Sequence, residues 1–249
     1  VGQACTDSEQ WGQGNSPVPL ICPRRVTVSR VYVLLPPSET KHPGGTGPAL
    51  ALDRLSFPAL LATRTQLIAA SARISADLPA ARSVLKVSAN LDAEIGFNTR
   101  LLTGPTMPAL LRYTGVLYAA LDTPKLSAAE ASRARGRLLI SSALFGLLTA
   151  GDLIPAYRLS AGSRLPGLPT LASLWRSCLT ATLAELDAPV LDLRSGAYAA
   201  FARVPGASPG GGGTVARAGA PKPGSHDNKA RTGPLGQPGA ERRAAGAST

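Results

Sequence analysis

Val31-Tyr32-Val33-Leu34-Leu35 runs straight into Pro36-Pro37. Five apolar and β-branched residues read as a short buried strand, and the two prolines end it. A polar, glycine-rich loop follows, Ser38-Glu39-Thr40-Lys41-His42-Pro43-Gly44-Gly45. Two later stretches repeat this arrangement. Residues 137–142 (RLLISS) fit a second buried strand. Pro189-Val190-Leu191-Asp192-Leu193 fits a third, with a turn at Arg194-Ser195-Gly196. The segments between carry helical spacing. Residues 58–75, 79–86, 90–102, 108–121, 127–135 and 171–186 read as helices, and 198–201 as a short one. Residues 143–148 read as a turn or short helix, and 152–164 as a loop. Strands alternating with helices predict an α/β domain, a mixed sheet with surrounding helices, over residues 31–203.

Composition sets the outer limits. The chain has 249 residues, of which 44% are hydrophobic, enough to bury a core. Its 26 Lys and Arg stand against 15 Asp and Glu, a formal charge of +11. Charged residues are only 16%, so the excess reflects a shortage of acids. No apolar run reaches the roughly 18 residues of a spanning helix, so no membrane partner is expected. Cys5, Cys22 and Cys178 are too scattered for a disulfide framework or a structural zinc site, and His42 and His226 are the only histidines. No metal and no cofactor is expected, and the expected compartment is the cytoplasm.

The two ends differ from the middle. Residues 1–30 mix Gly, Gln, Ser and Pro without a period and read as a disordered or non-native extension. Residues 204–249 are rich in Gly and Pro, with a glycine run at 210–213. They read as mostly disordered, or as a frameshifted remnant of the domain's C-terminal part.

Polar residues collect where the strands end. The first strand delivers Ser38 and Lys41, the second Ser141 and Ser142, and the third Asp192, Arg194 and Ser195. Ligands of open α/β sheets bind outside the carboxyl ends of strands. Asp152, Tyr157, Arg158 and Arg164 lie in the loop after the second strand and could line the same cleft, with cations suited to an anionic ligand. The alternative is an Arg158–Asp192 ion pair that only holds loops in place. Gly44-Gly45-Thr46-Gly47 matches neither a P-loop nor a dinucleotide fingerprint.

Five stretches, in order, resemble the bacterial peroxide stress protein YaaA family. They are Leu34-Leu35-Pro36-Pro37-Ser38-Glu39-Thr40-Lys41, Arg112-Tyr113-Thr114-Gly115-Val116-Leu117-Tyr118, Ser142-Ala143-Leu144-Phe145-Gly146-Leu147-Leu148, Asp152-Leu153-Ile154-Pro155-Ala156-Tyr157-Arg158-Leu159 and Asp192-Leu193-Arg194-Ser195-Gly196-Ala197-Tyr198. The resemblance implies a cytosolic protein of the peroxide response that limits iron-dependent oxidative damage. It implies double-stranded DNA as partner, gripped by a helix-hairpin-helix that maps to residues 79–102. Lys86, Asn90 and Arg100 would supply phosphate contacts there. Ser225-His226-Asp227-Asn228-Lys229-Ala230-Arg231 resembles the start of the family's closing segment.

Three functions therefore compete. The first is a DNA-binding stress protein. The second is an enzyme acting on a nucleotide-like or phosphorylated small molecule in the strand-end cleft. There Lys41 or Lys229 would be nucleophile or anion clamp and Asp192 a general base, among Ser38, Tyr113, Tyr118, Ser142, Asp152, Tyr157, Arg158, Ser195, Tyr198 and His226. The third is a truncated, inactive product.

Overall fold

The structure is a computed structural model, and it describes residues 30–205 and the backbone of 214–216. Its centre is the strand quoted first. β1 (Tyr32–Leu35) lies between β3 (Leu138–Ser142) and β6 (Val190–Asp192), parallel to both. Leu35 pairs with Ile140 and Leu34 with Asp192. β4 (Gly146–Thr149) adds antiparallel to β3, and β7 (Thr214–Ala216) antiparallel to β6. The sheet order is therefore β4-β3-β1-β6-β7. A second, two-stranded sheet pairs β2 (Met107–Pro108) with β5 (Leu153–Ile154).

Helices supply the cover. α1 (Leu61–Ser75) buries Arg64, Leu67, Ile68 and Ser71, one face at helical spacing. α2 (Leu78–Leu85) starts at Asp77, whose carboxylate accepts the Ala80 N–H at 3.2 Å. α3 (Asp92–Asn98) returns beside it. α4 (Ala109–Arg112) and α5 (Val116–Ala120) follow. α6 (Ala128–Arg137) opens on a capping box between Ser127 and Glu130. α7 (Leu171–Ala184) is capped by Thr170, and α8 (Gly196–Ala199) follows β6. Trp175 of α7 is fully buried, and its indole N–H donates to Ala143 O at 2.9 Å.

The α/β class expected from the sequence is the one observed. Two elements are corrected. The single helix expected over 108–121 is two helices broken at Tyr113–Gly115. Tyr113 is extended and bridges to Lys41, the His42 N–H donates to Arg112 O at 2.8 Å, and Gly115 sits at φ 103°. The loop after β1 pairs here as a strand would, so the helix must open. The turn or short helix expected at 143–148 is a tight hairpin into β4. In the C-terminal stretch, the described residues 214–216 form β7, with Val215 opposite Leu191. Residues 1–29, 206–213 and 217–249 lie outside the described residues, and with them His226 and Lys229. Among the described residues no helix is long and apolar enough to cross a membrane.

Candidate active site at the strand ends

β3 and β6 flank β1 on opposite sides, so the chain reverses its direction of growth across the sheet at β1. A crevice at the carboxyl end of that strand is where ligands of open sheets bind. The 36–47 loop fills this position. It is held by the Lys41–Tyr113 bridge, by Thr114 N–H donating to Thr40 O at 3.2 Å, and by a second bridge between Gly47 and Thr106.

Lys41 lies at the centre of a polar and aromatic cluster. Its Nζ donates to Ser38 O at 3.2 Å and to Glu39 O at 3.3 Å. It lies 4.3 Å from the centroid of the Tyr157 ring and 5.7 Å from that of Tyr113. The two phenol hydroxyls share a hydrogen bond of 2.8 Å, and Tyr157 shares another of 2.8 Å with Ser142 Oγ. Ser142 Oγ in turn accepts the Phe145 N–H at 3.0 Å, which closes the hairpin into β4. Tyr118 donates to Pro36 O at 2.7 Å, directly after β1. Lys41, Tyr113, Tyr118, Ser142 and Tyr157 thus meet at one strand end. Tyr198 is buried in α8 after β6 and packs edge-on against Phe201, with ring centroids 5.3 Å apart.

Burial sets the protonation of this cluster. Desolvation pushes the Lys41 ammonium down to about 8, with the Arg158 and Arg112 charges adding to the fall and Glu39 and Glu94 opposing it. Desolvation pushes Tyr113 up to about 12, and Tyr118, Tyr157 and Tyr198 upward as well. The phenols are therefore neutral hydroxyls at physiological pH, and the amine is the group that titrates near it. Stability should record this. Between about 8 and 10.5 the unfolded chain binds more protons than the folded one, so stability rises with pH across that window. Below about 8 the folded state carries the full penalty of a desolvated ammonium. Lys41→Met is expected to stabilise the fold by on the order of 1 kcal/mol at neutral pH, allowing for partial exposure, and by less near pH 10. Urea midpoints at the two pH values check this; a lower midpoint for the variant at neutral pH would count against it.

Other expected site residues sit elsewhere or are already engaged. Arg158 is spent on two carboxylates, Glu94 Oε2 at 2.9 Å and Glu39 Oε2 at 3.3 Å. Its backbone is clamped by buried Asn98, which accepts the Arg158 N–H at 2.8 Å and donates to Arg158 O at 2.8 Å. Asp192 holds Arg194 through two oxygens at 2.8 and 2.9 Å, so the Arg158–Asp192 pair does not form. Arg194 goes on to bind Tyr198 O and Ala202 O. Asp152 is not at that strand end. β4 runs against β3 and carries the chain to the far end of the sheet, where Asp152 accepts the Ser56 and Thr149 N–H groups at 3.0 and 2.8 Å. Ser195 is exposed at the start of α8, and Ser38 Oγ bonds Thr40 Oγ1 at 3.2 Å.

Residues that sequence reasoning missed are those whose partners are backbone atoms. Arg112 is fully buried and spends all five N–H groups on the carbonyls of His42, Gly44, Pro105 and Ile154. It fixes the loop that delivers Lys41. Glu39 and Glu94 meet at the Arg158 guanidinium, which links α3 to that loop, and Asn98 ties α3 to the Arg158 backbone.

α2 and α3 form a hairpin. Its turn places Lys86 in the left-handed region at φ 55°. Lys86, Asn90 and Arg100 are all exposed. Arg82 forms a two-point ion pair with Asp92 across the hairpin, with Nε at 2.8 Å from Oδ1.

The model of the family described as peroxide stress protein YaaA matches residues 31–209. A UPF0246 protein of Corynebacterium efficiens is 48% identical over 181 residues, 71% of each chain. A UPF0246 protein of Corynebacterium glutamicum is 42% identical over 209 residues, 82% of this chain and 83% of the relative. One of Streptomyces coelicolor is 44% identical over 208 residues, 82% of this chain and 80% of the relative. The matched span contains every element from β1 to α8 and both the strand-end cluster and the α2–α3 hairpin. The chain belongs to the peroxide stress protein YaaA family.

Proposed function

We propose that this chain serves the peroxide stress response in the cytoplasm by binding double-stranded DNA through its phosphate backbone, and so helps limit iron-dependent oxidative damage. The α2–α3 hairpin, read as a helix-hairpin-helix, is the contact. One observation carries the reading. Both carboxylates in the first turn of α3 are neutralised from within, Asp92 by Arg82 and Glu94 by Arg158, while Lys86, Asn90 and Arg100 remain exposed. The hairpin therefore presents cations without the opposing charge its sequence suggests. Arg133, Arg135 and Arg137, exposed on α6, add to the basic surface. Such binding positions a protein on a duplex without reading bases.

The test is fluorescence anisotropy with a labelled duplex from about 50 to about 200 mM salt. Affinity should fall steeply across that range. Lys86→Glu with Arg100→Glu should weaken binding by about tenfold or more and lower the salt slope by about 2. Binding indifferent to salt, or unchanged in the variant, would refute the placement.

A second reading is supported by the Lys41 cluster. Backbone binding of DNA has no use for a half-buried lysine over two tyrosine rings at a strand end, and an enzyme does. In this reading the cleft takes a small molecule, with Lys41 as its reactive or anchoring group. A thermal-shift panel of nucleotides and phosphorylated sugars tests it, and no shift from any of them would count against it.

A further inference from the structure

We propose that Lys41 is a nucleophilic amine that captures the carbonyl carbon of an aldehyde as an imine. The inference deepens the strand-end cleft reading and rests on it; it does not depend on the hairpin's grip on DNA.

Among the described residues, the geometry leaves the Lys41 amine without a carboxylate partner, between two backbone carbonyls and two tyrosine rings. A neutral amine offers two N–H donors and one lone pair. The Lys41 neighbourhood supplies two acceptors, Ser38 O and Glu39 O, and among the described residues no carboxylate lies within 4.0 Å of Nζ. Glu39, the nearest acid in sequence, is turned to Arg158 instead. Glu94, the other acid facing the loop, is held by the same guanidinium. Arg112 lies buried under the loop with only carbonyl partners, so its charge is uncompensated and opposes a second cation nearby. Contrast Lys125, which is exposed and paired with Asp122 at 2.7 Å. With the ammonium pushed down to about 8, far more of the Lys41 side chains carry a free lone pair at neutral pH than an ordinary lysine does. A partly desolvated lysine beside other cations is the standard arrangement for imine chemistry.

The step balances simply. The nitrogen lone pair attacks the carbonyl carbon and gives a carbinolamine. Both amine hydrogens then leave with the former carbonyl oxygen as one water, and a C=N bond remains. No oxidant or reductant takes part. Two sources present this electrophile in a cell under peroxide. One is a free sugar or sugar-phosphate aldehyde. The other is the ring-opened C1′ aldehyde of a nucleotide that has lost its base.

The chain suits a direct test, because it has only five lysines, Lys41, Lys86, Lys125, Lys222 and Lys229. The full chain is incubated with glyceraldehyde 3-phosphate in one arm and with a duplex carrying one abasic site in the other. Cyanoborohydride, added as the trapping reductant, turns any imine into a stable secondary amine. Peptide mass mapping then gives the rate at each lysine. Lys41 is expected to label at least tenfold faster than Lys86 or Lys125 in one arm, and Lys41→Met should lose that adduct. Preference for the duplex arm assigns the aldehyde to damaged DNA; preference for the other assigns it to a metabolite. Labelling of Lys41 no faster than of exposed lysines overturns the proposal. A thermal shift from the reduced alcohol of the probe separates the two failures. A shift without an adduct leaves the cleft as a ligand site and removes only the imine. Neither shift nor adduct removes the proposal and, with the nucleotide panel, the cleft reading.

Discussion

Arg112→Ala is expected to cost on the order of 4 kcal/mol of folding free energy, read as a lower urea midpoint at unchanged slope. The side chain is fully buried, and its five N–H groups end on four carbonyls: Ile154 twice, Pro105, His42 and Gly44. Truncation leaves those oxygens without donors, at about 1–3 kcal/mol for each that stays dry. It also opens a cavity the size of the guanidinium and its stem. Removing a buried, unpaired charge gives part of this back, which is why the net figure lies below the sum. Burial already lowers the Arg112 pKa, so the group is held against its preference for water. Lysine cannot substitute, since a point charge has three donors and no planar fork. A loss under about 1 kcal/mol would mean that desolvation of the guanidinium cancels its bonds. Because the same carbonyls fix residues 42–44, the variant should also return the Lys41 amine toward its ordinary titration.

The second large effect is expected at Gly146. Its φ of 75° lies in the left-handed region, and a Cβ built there meets the Trp175 ring at 2.7 Å. Two costs add in Gly146→Ala. The backbone conformation costs an L-residue about 1–2 kcal/mol. The overlap costs about 1–3 kcal/mol, because the indole cannot slide away. Trp175 is fully buried and tied to Ala143 O. A total of about 3 kcal/mol follows, with a red-shifted and more quenchable tryptophan emission if the ring is displaced. Unaltered stability and emission would show that the hairpin yields instead.

What could be read in advance follows from where each element finds its partners. β1, β3 and β6 are parallel and central, so they are continuous apolar runs, and each was evident from the chain alone. β4 was not, because Leu147 and Leu148 are both buried and no alternation survives. The break at Tyr113–Gly115 was not either. Residues 108–121 have a fair helical period, and only the loop arriving from β1 interrupts it. Lys41, Ser142 and Tyr157 were legible as residues that follow a strand, and Tyr113 only through the motif resemblance. Asp152 was misplaced, since an antiparallel β4 cannot be told from its apolar letters. Asp192 is satisfied by a residue two places on. Arg112 and Asn98 gave no signal, because a backbone carbonyl leaves no mark in sequence.

The position of β1 has a consequence for how the chain is made. The strand is central, yet its partners lie far along the chain: Leu138 lies opposite Val33 and Val190 opposite Tyr32. On the ribosome β1 emerges first and has nothing to pair with. At the usual rates of synthesis the wait for β3 is about 5–20 s, and for β6 about 10–30 s. Through that interval a buried-type apolar strand stands open at both edges, which is a template for pairing with other chains. Closure of the sheet is then a late event of high contact order, and folding should be slow relative to helical domains of this size. The double proline after Leu35 limits the length of the open strand, and so protects the nascent chain while its neighbours are still being added.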